Sequence, residues 1–131
     1  MSEPQKVINI NSKSDYWDYD SLNDSFFAFS KGVQYKSSIE IDGVLLDVGM
    51  DNSIVGIEIL DAAKRFGISK YDMKNLKQIR ADIKVSEESI NIKLLLEVSK
   101  RNRELPLKLS ITGANEMKLP STSSGTMAVA V

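Results

Sequence analysis

Four aspartates, Asp15, Asp18, Asp20 and Asp24, lie within one stretch of ten residues, and close carboxylates are what a hard cation such as Mg²⁺ or Ca²⁺ takes as ligands. An EF-hand loop opening at Asp18 would need an oxygen ligand at its fifth position and glycine at its sixth. Leu22 and Asn23 stand there, so the pattern fails. Aspartate also bonds its own backbone in turns, which explains the same residues without a metal. A second group, Asp42, Asp47, Glu58 and Asp61, could supply a general acid and base. Asp42 has a turn to make and Asp61 a helix to cap. Glu58, flanked by Ile57 and Ile59, is the acid without a structural task.

The third charged group is basic: Lys64, Arg65, Lys70, Lys74, Lys77 and Arg80, with Lys84, Lys93 and Lys108. Such a set could hold phosphates without reading bases. Asp72, Asp82 and Glu97 interrupt it, and only Phe66 and Tyr71 interleave for stacking, so nucleic acid is not the expected partner. Gly43, Gly49, Gly56 and Gly67 are too widely spaced for a phosphate-binding loop. The aromatic residues Tyr16, Trp17, Tyr19, Phe26, Phe27 and Phe29 read as the core of a first sheet, with room for an exposed subset that binds a partner.

The chain has no histidine and no cysteine. Ser-His-Asp triads, imidazole bases, histidine-ligated metals, thiolate zinc sites, thiol catalysis and disulfides are excluded by that alone. Residues 1–62 carry four lysines against eleven carboxylates, a net −7, while residues 63–131 carry a net +6. The asymmetry marks either a basic partner-binding half or two solvated faces that attract each other within one fold or between copies.

The elements that must position these residues are short. With 131 residues, 42% of them hydrophobic, the chain fits one domain with a modest core. No run approaches the roughly 20 apolar residues that span a bilayer. The Met1–Lys6 segment lacks the basic and apolar regions of a signal peptide, so the expected location is the cytoplasm, with no membrane partner. Val7–Ile10 is a strand candidate, and Asn11–Ser14 a turn. Tyr16–Tyr19 and Phe26–Phe29 favour strands, with a turn at Asp20–Asp24. Asp42-Gly43 between Ser38–Ile41 and Val44–Val48 signals a type I′ hairpin, and Ile54–Ile59 continues an antiparallel meander. Gly56 inside that strand predicts a bulge or a close approach. Asp61 is expected to cap a helix over Ala62–Phe66 ending at Gly67, and Ser69 to cap a second over about Lys70–Leu76.

From Ile79 apolar residues alternate with polar ones through three strands. Pairing Val85 with Ile90, and Val98 with Leu105, keeps the apolar residues on one face, Leu95 excepted. Pro106 cannot donate a ladder bond and assigns the last strand to an edge, where an uncovered edge invites another copy. The fold class is therefore α+β: a predominantly antiparallel β meander with one or two short helices packed on the sheet. A single domain over 1–112, comprising 16–76 and a three-stranded meander over 77–112, precedes a linker-like tail over 113–131. Within that tail Met127–Val131 is apolar and is either frayed or an added strand.

Three segments together resemble a known family: Tyr19-Asp20 with Asp24–Phe29; Ile39-Glu40-Ile41-Asp42-Gly43-Val44; and Val55-Gly56-Ile57-Glu58-Ile59-Leu60-Asp61-Ala62. The family is that of small prokaryotic proteins called domain of unknown function 2283. The resemblance covers about residues 16–76, and Gly56 to Ala62 match at seven consecutive positions. Where the family commonly has an apolar-Tyr-apolar strand, this chain has Phe26-Phe27-Ala28. The resemblance implies a compact β-meander with a helix and no established activity, cofactor or catalytic residue. It also implies, for small members, a role as partners of toxins. The function expected is a non-enzymatic protein-binding or structural module forming homo-oligomers, without catalytic residues, cofactor or metal. Its candidate interaction residues are Glu58, Lys64, Arg65, Lys77, Arg80 and Pro106. The alternatives are an antitoxin-like regulatory partner of a basic, nucleic-acid-acting protein, and a carboxylate-metal enzyme using Asp18, Asp20 and Asp24.

Overall fold

The computed structural model describes residues 6–9 and 16–130, so Asp15, the turn expected at 11–14 and Val131 lie outside the described residues. The elements are β1 (Lys6–Asn9), β2 (Tyr16–Asp20), β3 (Ser25–Phe29), β4 (Tyr35–Ile41), β5 (Val44–Gly49), β6 (Ile54–Ile59), α1 (Ala62–Phe66), α2 (Lys70–Met73), β7 (Leu76–Val85), β8 (Ser89–Lys100), β9 (Arg103–Ala114), a 3-10 turn at Ser121–Ser123 and β10 (Gly125–Ala130). The architecture is predominantly antiparallel β with two short helices. No helix among the described residues is long and apolar enough to cross a membrane.

The strands form two five-stranded sheets, sheet I in the order β2-β3-β6-β5-β4 and sheet II in the order β1-β10-β7-β8-β9. In both, alternation drives one face inward. Phe26, Leu46 and Ile57 from sheet I and Ile79, Ile92, Leu94 and Leu96 from sheet II join one hydrophobic cluster, to which Ala62, Ala63, Phe66 and Met73 add from the helices. Two sheets packed this way sit about 10 Å apart and point their other faces in opposite directions. One close approach is at Gly113 of β9, where a Cβ would lie 2.7 Å from Ile41 Cγ2 on β4.

Several expectations hold. Val85 pairs with Ile90, Ala81 with Leu94, Val98 with Leu105, and β9 is an edge. Asp42 (φ 46°) and Gly43 (φ 82°) both take the positive φ that a type I′ turn needs. Gly67 ends α1 in the left-handed region, and Ser69 Oγ accepts the Asp72 N–H at 3.0 Å. Beside Gly56, the β5–β6 register shifts between Asp47 and Val48.

Five expectations need correction. The first half is not a simple meander, because β3 pairs with β6 while the β4–β5 hairpin lies beyond it. Sheet II, not one continuous sheet, covers its apolar face. Within the tail expected to be linker-like, β10 inserts between β7, antiparallel, and β1, parallel. Helix α2 ends at Met73, since Leu76 is drawn into β7 opposite Val98. Asp61, finally, stands before α1 but its side chain caps nothing.

Asp24 caps α1 instead, from across the sheet. Its carbonyl accepts the Ala62 N–H at 2.9 Å, Oδ1 accepts the Ala63 N–H at 2.8 Å, and Oδ2 accepts the Lys64 N–H at 3.2 Å. Tyr19 donates its hydroxyl to the same Oδ1 at 2.7 Å. Burial first, and then this bond to a carboxylate, push the Tyr19 hydroxyl well above the ordinary tyrosine range.

Candidate interaction surfaces

Because inward positions are taken by the core, function must lie on the outer faces and the open edges. On sheet I the outward residues run in two cross-strand rows. One reads Asp18, Phe27, Glu58, Leu45 and Glu40, and the other Tyr16, Phe29, Gly56, Asp47 and Ser38. Tyr16 (46% exposed) and Phe29 (36%) pair their rings at 5.4 Å, and Tyr16 lies 5.8 Å from Phe27. A shallow hollow of about 320 Å³, at the small end of ligand-pocket sizes, is lined by Phe27, Phe29, Asp47 and Glu58. Gly56 stands between Phe29 and Asp47 in the same cross-strand row. A Cβ there would sit 2.6 Å from Asp47 Oδ2, so glycine lets Asp47 lean across the sheet.

The two carboxylates beside the hollow are held from below. Ser38 Oγ donates to Asp47 Oδ1 at 2.6 Å and in turn bonds the Tyr35 hydroxyl at 2.8 Å. Ser25 Oγ donates to Glu58 Oε1 at 2.9 Å. Each acid is therefore oriented through one oxygen, and the other oxygen is left to meet a partner. This arrangement presents fixed negative charge beside aromatic surface.

The outer face of sheet II has the opposite character at its centre. Leu95 sits between Arg80 on β7 and Lys108 on β9, and the next row holds Asp82, Lys93 and Ser110. These residues line a groove of about 600 Å³. Arg80 Nε pairs with Asp82 Oδ1 at 3.0 Å, and Thr126 donates to the same oxygen at 2.7 Å. Towards one end the sign changes: Gln78 Nε2 bonds Glu97 Oε2 at 2.5 Å, and Glu104 stands beside Glu97. Hydrogen bonding to the Glu97 carboxyl and its charge raise the Glu104 pKa, with Lys77 opposing. A raised carboxyl pKa means the charged form is disfavoured in the fold, so this strain is present at neutral pH and relieved as pH falls through the raised value. Glu104→Gln is accordingly expected to raise Tm at pH 7, with the advantage shrinking as pH drops into the carboxylate range. Thermal melts at several pH values check it.

The edge of sheet II is the third surface. Asn115 donates its N–H to the Glu88 carbonyl and Ser99 to the Asn75 carbonyl, each at 3.0 Å. In β8, then, even-numbered residues bond across to β9 and odd-numbered ones to β7. The β9 residues opposite the odd positions, Glu104, Pro106, Lys108, Ser110 and Thr112, turn their backbone groups to the open edge. Pro106 costs the ladder no bond there. The inward leucines of β9 are incompletely covered, with Leu105 37% exposed and Leu107 and Leu109 half-buried.

The residues singled out in the sequence fall into three places. Arg80 and Pro106 share the outer face of sheet II, and exposed Lys77 lies at a bulge beside them. Glu58 lies on the opposite side of the molecule, in sheet I. Lys64 is exposed on α1, while Arg65 donates to the Asp42 carbonyl and pairs with Asp42 Oδ2 at 3.3 Å, which locks α1 to the β4–β5 turn. The acids proposed for a metal diverge. Asp24 caps α1. The Asn23 side-chain amide, with the Asn23 and Leu22 N–H groups, bonds Asp20 and holds its carboxyl below the usual range. Asp18 Oδ1 accepts the N–H of Tyr19. No group of three potential metal ligands converges among the described residues. Sequence reasoning named Asp47 as a candidate acid but left it out of the interaction residues; the signal for it was its place opposite Gly56 in the β5–β6 register.

A family model for a protein of unknown function, DUF2283, matches residues 17–62. A Methanosarcina mazei protein named "Putative hypoxanthine phosphoribosyltransferase" is 43% identical over 109 residues, which cover 83% of this chain and 89% of that protein. The chain belongs to the DUF2283 family. An uncharacterised protein of Methanocaldococcus jannaschii is 33% identical over 103 residues, 78% of this chain and 89% of its own length. No solved structure matches. The segment that matches the DUF2283 model spans sheet I from Trp17 and ends at the first residue of α1, so it includes Asp24, Asp47, Gly56 and Glu58. The β9 edge and the basic face lie outside it.

Proposed function

We propose that this DUF2283 protein is a non-enzymatic binding or structural module that assembles with copies of itself through the open edge of β9. The observation behind this reading is the edge: a 12-residue strand with outward N–H and C=O groups and partly uncovered leucines. Such an edge is a template for another strand. Antiparallel pairing of two β9 strands about Ser110 sets Lys108 opposite Thr112 rather than opposite its own copy. It forms about six backbone bonds. It also extends the inner apolar face across the two-fold axis, over Leu107 and Leu109.

Ser110→Pro tests this. Its N–H faces the open edge, so proline removes a bond to the partner and none to β8. Sedimentation is expected to show a dimer for the wild type and a monomer for the variant. A wild type that stays monomeric over a wide concentration range overturns the reading.

The transferase name borne by the Methanosarcina mazei relative is not carried over as an activity. Asp20 and Asp24 are engaged in turn and capping bonds, and Gly43 and Gly56 lie under Arg65 and Asp47. That leaves neither these two acids nor the backbone of these two glycines free to cradle a phosphate. A second reading, an antitoxin-like regulatory partner of a basic protein, is favoured by the acidic outer face of sheet I. Co-purification from the native source, with no basic partner retained, would remove it.

A further inference from the structure

We infer that the outer face of sheet I is a docking surface for the outer face of sheet II of a second copy, a head-to-tail contact distinct from β9 pairing. The first face centres on Tyr16, Phe29 and Leu45, with Asp47 and Glu58 between them; the second centres on Leu95, with Lys93 and Lys108 around it. None of the ion pairs among the described residues uses these four charges.

Three observations carry this. The two outward rows of sheet I hold Asp18, Glu40, Asp47 and Glu58 and no lysine or arginine, and Lys36, at the bulged end of β4, donates to Asn52 Oδ1 rather than to one of these acids. Lys84, Lys93 and Lys108 on sheet II likewise lack a carboxylate partner, Asp82 being taken by Arg80. The two faces point away from each other across the core, so Asp47 and Glu58 cannot meet Lys93 and Lys108 within one copy. They can do so between copies, where apolar centres meet inside a ring of opposite charges. Asp47 and Glu58, each fixed by a serine hydroxyl, meet the lysines with less loss of side-chain freedom than free acids would. The contact joins two different surfaces, so it does not close at two copies but adds further copies in series.

The test is run in a Thr112→Pro background, where the lost N–H also faces the open edge but the side chain lies outside the groove, which separates it from the β9 reading. At about 50 mM salt the mean mass is expected to climb with concentration past a dimer, and at about 500 mM salt, where charges are screened within a few ångströms, it is expected to fall back to the monomer. Asp47→Lys/Glu58→Lys reverses one face, and Lys93→Glu/Lys108→Glu reverses the other. Each double variant alone is expected to be monomeric. Mixed in equal amounts, they are expected to associate again and to grow with concentration, because the two intact faces are complementary and so are the two reversed ones. The neutral pair Asp47→Asn/Glu58→Gln keeps the serine bonds and drops only the charge, and is expected to weaken association at least tenfold without changing the melt. A parent that stays monomeric at low salt, reversed variants that still associate alone, or a mixture that stays monomeric would each overturn the proposal.

Discussion

Replacing Asp24 with alanine is expected to lower stability by about 3 kcal/mol, read from the urea midpoint at unchanged m-value. One carboxylate accepts bonds from the first turn of α1 and from Tyr19, so its loss strands two N–H groups and a hydroxyl where water is scarce. Asp24 also has φ 51°, a conformation that alanine adopts at a cost. Asp24→Asn tolerates that φ and keeps an acceptor, and should recover most of the loss. Tyr19→Phe is expected to cost about 1 kcal/mol, and the double variant less than the two singles together, because they share one bond. A loss below about 0.5 kcal/mol for Asp24→Ala, the level of an ordinary surface change, would show that α1 does not depend on this cap.

Phe26→Ala is expected to cost about 3 to 5 kcal/mol. Phe26 is fully buried in the core and stacks on Trp17 at 6.0 Å. Trp17 is the chain's one tryptophan, so its emission should shift to the red as the cavity admits water. Phe29, on the other face of the same strand and 36% exposed, is the control: Phe29→Ala should cost under about 1 kcal/mol and leave the emission unchanged. Equal losses at the two positions would contradict the assignment of inner and outer faces.

How much was legible in the sequence followed from how local the signal was. The β7–β8–β9 register could be read from alternation, because sliding Val85 off Ile90 by one residue would turn every apolar side chain outward. The Asp42-Gly43 turn and the Gly67 cap carry their own backbone requirements. The pairing of β3 with β6 and the insertion of β10 have no such mark. They are chosen by which apolar faces remain to be covered. Asp61 was the natural cap by adjacency, but with φ 53° and its side chain exposed it leaves the task to Asp24, far away in sequence.

The surfaces were legible in the same uneven way. Pro106 marked the edge because proline lacks a donor. The charge imbalance between the halves was visible, yet whether those charges would meet depended on the two sheets turning their outer faces apart. Alternation placed Glu58 outward, but the serines that orient Glu58 and Asp47 come from neighbouring strands whose register only the assembled sheet defines.

The position of β10 also bears on how quickly the protein can form. Its neighbour β1 pairs through Lys6 and Gly125, residues 119 apart in the chain, and it can join sheet II only after β10 has bonded to β7. Contacts closing loops of that length are slow, and chains dominated by them fold in milliseconds to seconds rather than microseconds. During synthesis the β7–β8–β9 meander would wait with the edge of β7 open until residues 125–130 emerge. The emergence of β10 therefore sets the time during which an unfinished sheet is exposed to the wrong partner.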